Sequence, residues 1–111
     1  MEVVAVGHSF STTDWSTIEP VAHPGESGEA LWRTKVIGAL RLRVVEYTAG
    51  YVADHWCSRG HVLFVLKGEL RTELDDGRVV VLRAGQSYEV ANDQEAHRSS
   101  STTGAKLFIV D

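Results

Sequence analysis

Three side chains able to bind a transition metal fall within seven residues of this chain: His55, Cys57 and His61, inside the stretch GYVADHWCSRGHVLFVLKG from Gly50 to Gly68. A neutral imidazole or a thiolate suits zinc, iron, nickel or copper. Residues 55 and 57 are two apart, so on extended backbone their side chains share a face. Ser58-Arg59-Gly60 reads as a turn that brings His61 back toward that face as it opens the next strand. Taken alone, the spacing has an ordinary alternative. Loop histidines are commonly solvated, and a lone cysteine commonly packs as a small apolar side chain.

The elements that must position these groups come from one small domain. A chain of 111 residues buries about 60 to 70% of the surface its unfolded form would expose. Hydrophobic residues make up 43% and charged residues 23%, which excludes a disordered or fibrous class. The longest apolar runs, VLFVL and VVVL, fall far short of the ~20 residues a membrane helix needs. The start MEVVAVGHSFS lacks a basic segment followed by a long apolar one, and Cys57 has no second cysteine to pair with. Both features give a cytoplasmic protein as the expectation. A net charge of −4 with no basic run argues against nucleic acid. That leaves a small-molecule ligand or another protein as partner.

Residues 1–30 read as an N-terminal arm of the same unit, with a short strand or helical turn near Asp14 to Ile18 and Trp15 as its apolar anchor. The segment His23-Pro24-Gly25-Glu26-Ser27-Gly28 is rich in turn formers. His8 and His23 of this arm read as solvated, with His23 also able to cap a site.

From Leu31 the pattern changes to strands. LWRTKVI and ALRLRVVEYT are rich in β-branched and aromatic residues and are separated by Gly38. In the second, Leu40, Leu42 and Val44 share one face and are expected to form the core, with Arg41 and Arg43 opposite. In HVLFVL, an inward His61 takes Leu63 and Val65 with it and leaves Val62, Phe64 and Leu66 outside. A strand apolar on both faces needs a cover, so the arm or a homodimer is expected over Phe64. Asp75-Asp76-Gly77 predicts a two-residue type I′ hairpin, followed by the strands RVVVL, SYEVA and AKLFIV. With no sustained 3.6-residue period, the fold class is all-β, a barrel or sandwich.

These segments resemble the cupin superfamily. Its first motif runs from a glycine through a His-x-His pair and a glutamate to a closing glycine. Here Gly50 opens, His55 is the first histidine, Cys57 stands in the second place, His61 in the glutamate place, and Gly68 closes. The second motif looks like Gly85 to Ser101, with His97 as its histidine. More narrowly, DHWCSRGHVLFVLKGEL and EAHRSSSTTGAKLFIVD resemble the small single-domain cupins with a DHCW-type motif. The resemblance implies a jelly-roll β-barrel over residues 31–111. It also implies a divalent transition metal held by His55, His61 and His97, with Cys57 as a further ligand. Imidazole in place of a carboxylate biases such a site toward zinc, nickel or iron(II) over manganese.

Three polar or aromatic neighbours are pocket candidates. Tyr88 is a hydrogen-bond donor to a ligand or a core filler, Glu46 an orienting partner for a histidine or a solvated carboxylate, and Trp56 a pocket wall or ordinary packing. The implied functions span three classes: metal-centred enzyme chemistry of the dioxygenase, isomerase or lyase kind, a ligand or metal sensor, and a purely structural metal.

Overall fold

The computed structural model describes residues 9–111, so His8 lies outside the described residues. Among the described residues, one 3-10 turn, Trp15–Thr17, is followed by nine strands: β1 (Val21–Pro24), β2 (Glu29–Ile37), β3 (Leu40–Tyr47), β4 (Tyr51–Val52), β5 (His61–Leu74), β6 (Val79–Arg83), β7 (Ser87–Val90), β8 (His97–Ser101) and β9 (Ala105–Val110). All pairings are antiparallel. The fold is therefore all-β, a curled antiparallel sheet closing into a jelly-roll barrel.

The long strand β5 belongs to both walls. Its first half pairs with β7 and β9, and its second half pairs with β6 and β8. The change of wall happens at a register shift between Val65 and Lys67, followed by Gly68 at φ 79°. A Cβ at Gly68 would sit 2.2 Å from the carbonyl oxygen of Gly104, so both the backbone angle and the close approach require glycine.

Alternation puts Leu63, Val65 and Leu70 of β5 inside, against Val45 of β3 and Leu107 and Ile109 of β9. Val62, Phe64 and Leu66 point out and are 52%, 40% and 44% exposed, as their parity requires. The arm covers the outer face beside them. Trp15 packs edge-on against Phe108 with ring centroids 6.1 Å apart, and Arg33 Nε donates to the Ile18 carbonyl at 3.0 Å. Residues 21–24 of the arm extend the sheet by pairing with β2, and His23 stacks on Trp32.

Two expectations fail for physical reasons. The core face of β3 is not the leucine face: Arg41, Arg43, Val45 and Tyr47 line the barrel interior. Arg43 is only 6% exposed, and it is tolerated there because Asp111 accepts from it and the Trp32 ring lies 4.4 Å from its guanidinium carbon. Val44 on the other face is buried as well, in register with Phe108 beneath the arm. The β5–β6 hairpin is not a two-residue I′ turn. Gly77 N donates to the Leu74 carbonyl and only Gly77 in this loop has positive φ, giving a three-residue connection closed by a glycine bulge. Asp76 keeps ordinary backbone angles while its carboxylate accepts the Arg78 N–H at 3.0 Å.

The two glycine sites make a graded test. Gly68→Ala is expected to destabilise the protein by roughly 2 to 4 kcal/mol, combining strain with a backbone clash. Gly77→Ala, also at positive φ but with open space around it, is expected to lose only about 1 kcal/mol. Denaturant midpoints of the two variants check the order.

Candidate functional site

The strand registers stack the barrel interior in layers. Arg41 and Asp111 exchange both backbone hydrogen bonds at one end, beside His61 at the start of β5. The next layer carries Arg43, Ile109, Leu63 and Tyr88 in register across β3, β9, β5 and β7. These residues, with His97 and Cys57, enclose a cavity of about 250 Å³ open at that end.

His61 and His97 meet in the cavity, delivered by β5 and β8. Their Nε2 atoms are 3.1 Å apart, and the Tyr88 hydroxyl lies 2.8 Å from His61 Nε2. His97 Nδ1 is 3.0 Å from the Glu95 carbonyl, which can only accept, so Nδ1 carries the proton and Nε2 the lone pair of a neutral ring. With no cation between them, His61 donates from Nε2 to His97. Its Nδ1 is then a buried lone pair, and that atom has no hydrogen-bond partner among the described residues. Shifting the proton to Nδ1 aims it at Asp111 Oδ2, 3.9 Å away, and points both Nε2 lone pairs at one place.

Two imidazoles sharing one cation at about 2.1 Å have nitrogens roughly 3.0 to 3.4 Å apart. The pair therefore fits a borderline divalent metal at two coordination positions. Among the described residues, no three His, Cys, Asp or Glu side chains are grouped closely enough to hold a metal ion together.

The remaining sequence candidates divide. Cys57 is directly opposite His97 across an isolated antiparallel bridge, which puts both side chains on one face, and it lines the cavity. His55 also reaches the cavity rim, but its ring is 68% exposed and its Nδ1 lies 2.6 Å from the Asp54 carboxylate. Tyr88 is a wall of the site. Burial, then the neighbouring Tyr47, pushes its pKa well above the usual phenol range, so it stays protonated. Trp56 is 44% exposed and does not line the cavity. Glu46 faces away from the barrel interior and pairs with Arg33 and Lys106 at 3.6 and 3.8 Å.

Sequence reasoning missed the arginine side of the cavity. Asp111 accepts from Arg41 Nε and Nη2 at 2.8 Å each and from Arg43 Nη2 at 2.9 Å, while its own side chain is 1% exposed. Arg59 Nε lies 3.5 Å from the same carboxylate. Arg41 and Arg43 are about seventy residues from Asp111 in sequence, so the only local signal was an arginine pair alternating with apolar residues on one strand.

His61 is held neutral. Burial lowers its pKa from 6.5 to about 4, with His97 and then Arg43 adding to the effect and Asp111 opposing it. An unfolded histidine takes up its proton near pH 6.5, whereas folded His61 resists until about 4. Its stabilising contribution is thus complete above about 6.5 and is lost as pH falls toward about 4. Urea unfolding of metal-free protein at a series of pH values is expected to show that loss, and His61→Gln to flatten it.

No protein-family model and no curated protein sequence matches the chain. Solved structures do match in shape. A protein described as a predicted oxalate decarboxylase from Thermotoga maritima superposes with a TM-score of 0.77 at 17% identity, over 90% of this chain and 96% of the other. An RmlC-like cupin from Shewanella frigidimarina gives 0.69 at 23% identity, over 92% and 89%. The iron(II) form of HppE, solved with an alternative substrate, gives 0.74 at 17% identity, over 92% of this chain and 60% of the other. At these identities the likeness is one of architecture, and the architecture of this chain is the cupin β-barrel.

Proposed function

We propose that this protein is a small metal-binding cupin whose barrel holds one divalent transition metal beside a small-molecule pocket. The observation that carries this is the 3.1 Å approach of His61 Nε2 and His97 Nε2 inside the cavity, with His97 oriented by the Glu95 carbonyl. His61 and His97 supply two nitrogen donors, and Cys57 and His55, which line the same cavity without grouping with that pair, would have to turn inward to take the third and fourth positions. Zinc, iron(II) or nickel suits that donor set. HppE, a neighbour in shape, was solved in an iron(II) form, which supports this choice of metal. The run Asp54-His55-Trp56-Cys57 supports placing the chain among the DHCW-type cupins.

When bound, the metal supplies a Lewis acid to whatever enters the pocket. The residues of the chain do the rest. Tyr88 presents a protonated hydroxyl beside His61, Asp111 faces His61 Nδ1, and Val45, Leu63 and Ile109 add apolar wall to the cavity.

Elemental analysis of purified, reloaded protein is expected to find about one zinc, iron or nickel per chain. His61→Ala and His97→Ala should each weaken metal binding by about 100-fold or more. Cys57→Ser should weaken it less, by about 10-fold. A protein that stays metal-free under every loading condition would overturn the reading.

The exposed face of Val62, Phe64 and Leu66 supports a homodimer. Light scattering at tens of micromolar protein should show twice the chain mass, and Phe64→Glu should return a monomer that still unfolds cooperatively. A monomeric parent protein would end this part of the reading.

A further inference from the structure

One wall of the cavity carries positive charge that metal binding does not use. Arg41, Arg43 and Arg59 all line it, and Asp111 is the sole carboxylate doing so among the described residues. Three guanidinium groups thus share one side-chain carboxylate, in a chain whose net charge is −4. Asp111 is already committed: it accepts three hydrogen bonds, two from Arg41 and one from Arg43. Arg59 stands 3.5 Å off, beyond a good hydrogen bond.

Arg43 has donors to spare. It is 6% exposed, gives Nη2 to Asp111, and its Nε has no hydrogen-bond partner among the described residues. A guanidinium has five N–H donors, and a buried one left partly unpaired is costly. Burial accordingly works against its charge, more strongly than Asp111 restores it. Arg43 is also fixed in place, with its guanidinium 4.4 Å from the Trp32 ring centroid.

Tyr47, Tyr51, Leu63 and Ile109 add apolar and aromatic surface to the lining. Such walls suit an organic body better than a fully hydrated inorganic ion. We infer that the cavity binds the carboxylate of a small apolar or aromatic organic acid, held by Arg43 and Arg59, with Asp111 and Arg41 fixing the guanidinium geometry. This rests on the reading of the cavity as a small-molecule pocket, and it does not require the metal.

Titration calorimetry on the full chain, treated with chelator and metal-free, tests it with benzoate and hexanoate, their neutral amides benzamide and hexanamide, and inorganic phosphate. At least one carboxylate is expected to bind about 10-fold or more tightly than its amide, since only the carboxylate makes charge-assisted bonds. Arg43→Gln and Arg59→Gln should each weaken that carboxylate about 10-fold while leaving the amide within about twofold. Arg59 is the more exposed of the two, so its variant keeps the test open if Arg43→Gln does not fold. Equal binding of acid and amide, tighter binding of phosphate, or no binding of either acid at millimolar concentration would overturn the inference. Charge-selective binding by a protein that never takes up metal would leave this inference standing and the metal reading fallen. Metal uptake without charge selectivity would do the reverse.

Discussion

The structure depends on a carboxylate inside a barrel. Asp111 sits almost fully covered at the open end of the cavity and binds two arginines from β3, one of them deep in the interior. A buried ion pair of this kind adds little net stability against an apolar replacement, yet removing one partner leaves a charge stranded in a poorly solvating place. Its main consequence is positional. Satisfying Arg41 and Arg43 holds the end of β9 against β3 and puts a fixed negative charge 3.9 Å from His61 Nδ1.

From that fixed point the site can be followed outward. Asp111 is a charge that favours a protonated His61, and it is outweighed by burial, by His97 and by Arg43. His61 consequently stays neutral, which is the form a metal needs and a proton shuttle at neutral pH does not. Tyr88, raised out of its normal range by burial, contributes a hydroxyl and never a charge. The cavity thus has two chemically distinct regions, lone pairs from β5 and β8 on one side and guanidinium donors from β3 on the other.

Much of the fold was legible because strands announce themselves through alternation. The parity of His61, Leu63 and Val65 against Val62, Phe64 and Leu66 was correct residue by residue. The same rule failed on β3. There Leu40, Leu42 and Val44 looked like the buried face because leucine outranks arginine on any hydrophobicity scale. That ranking omits the pairing of Arg43 with Asp111 and its stacking on Trp32, neither of which is local in sequence. Glu46 was misplaced as a candidate for the related reason that inverting a strand inverts every side chain on it. The hairpin at Asp75-Asp76-Gly77 was located correctly, while its type was decided by the carboxylate of Asp76 bonding ahead to Arg78.

By itself the sequence determined the class of fold, the positions of most strands and turns, and the identity of the side chains able to bind a metal, because these follow from short-range periodicity and from residue chemistry. Tertiary structure alone decided which of those side chains meet. It joined His61 to His97 across 36 positions, left His55 turned to its neighbour Asp54, and brought arginines to the inside through an aspartate some seventy residues away. The physical reason is that a barrel's interior is defined by register between strands distant in the chain, and register is a property of the closed sheet that no single strand carries.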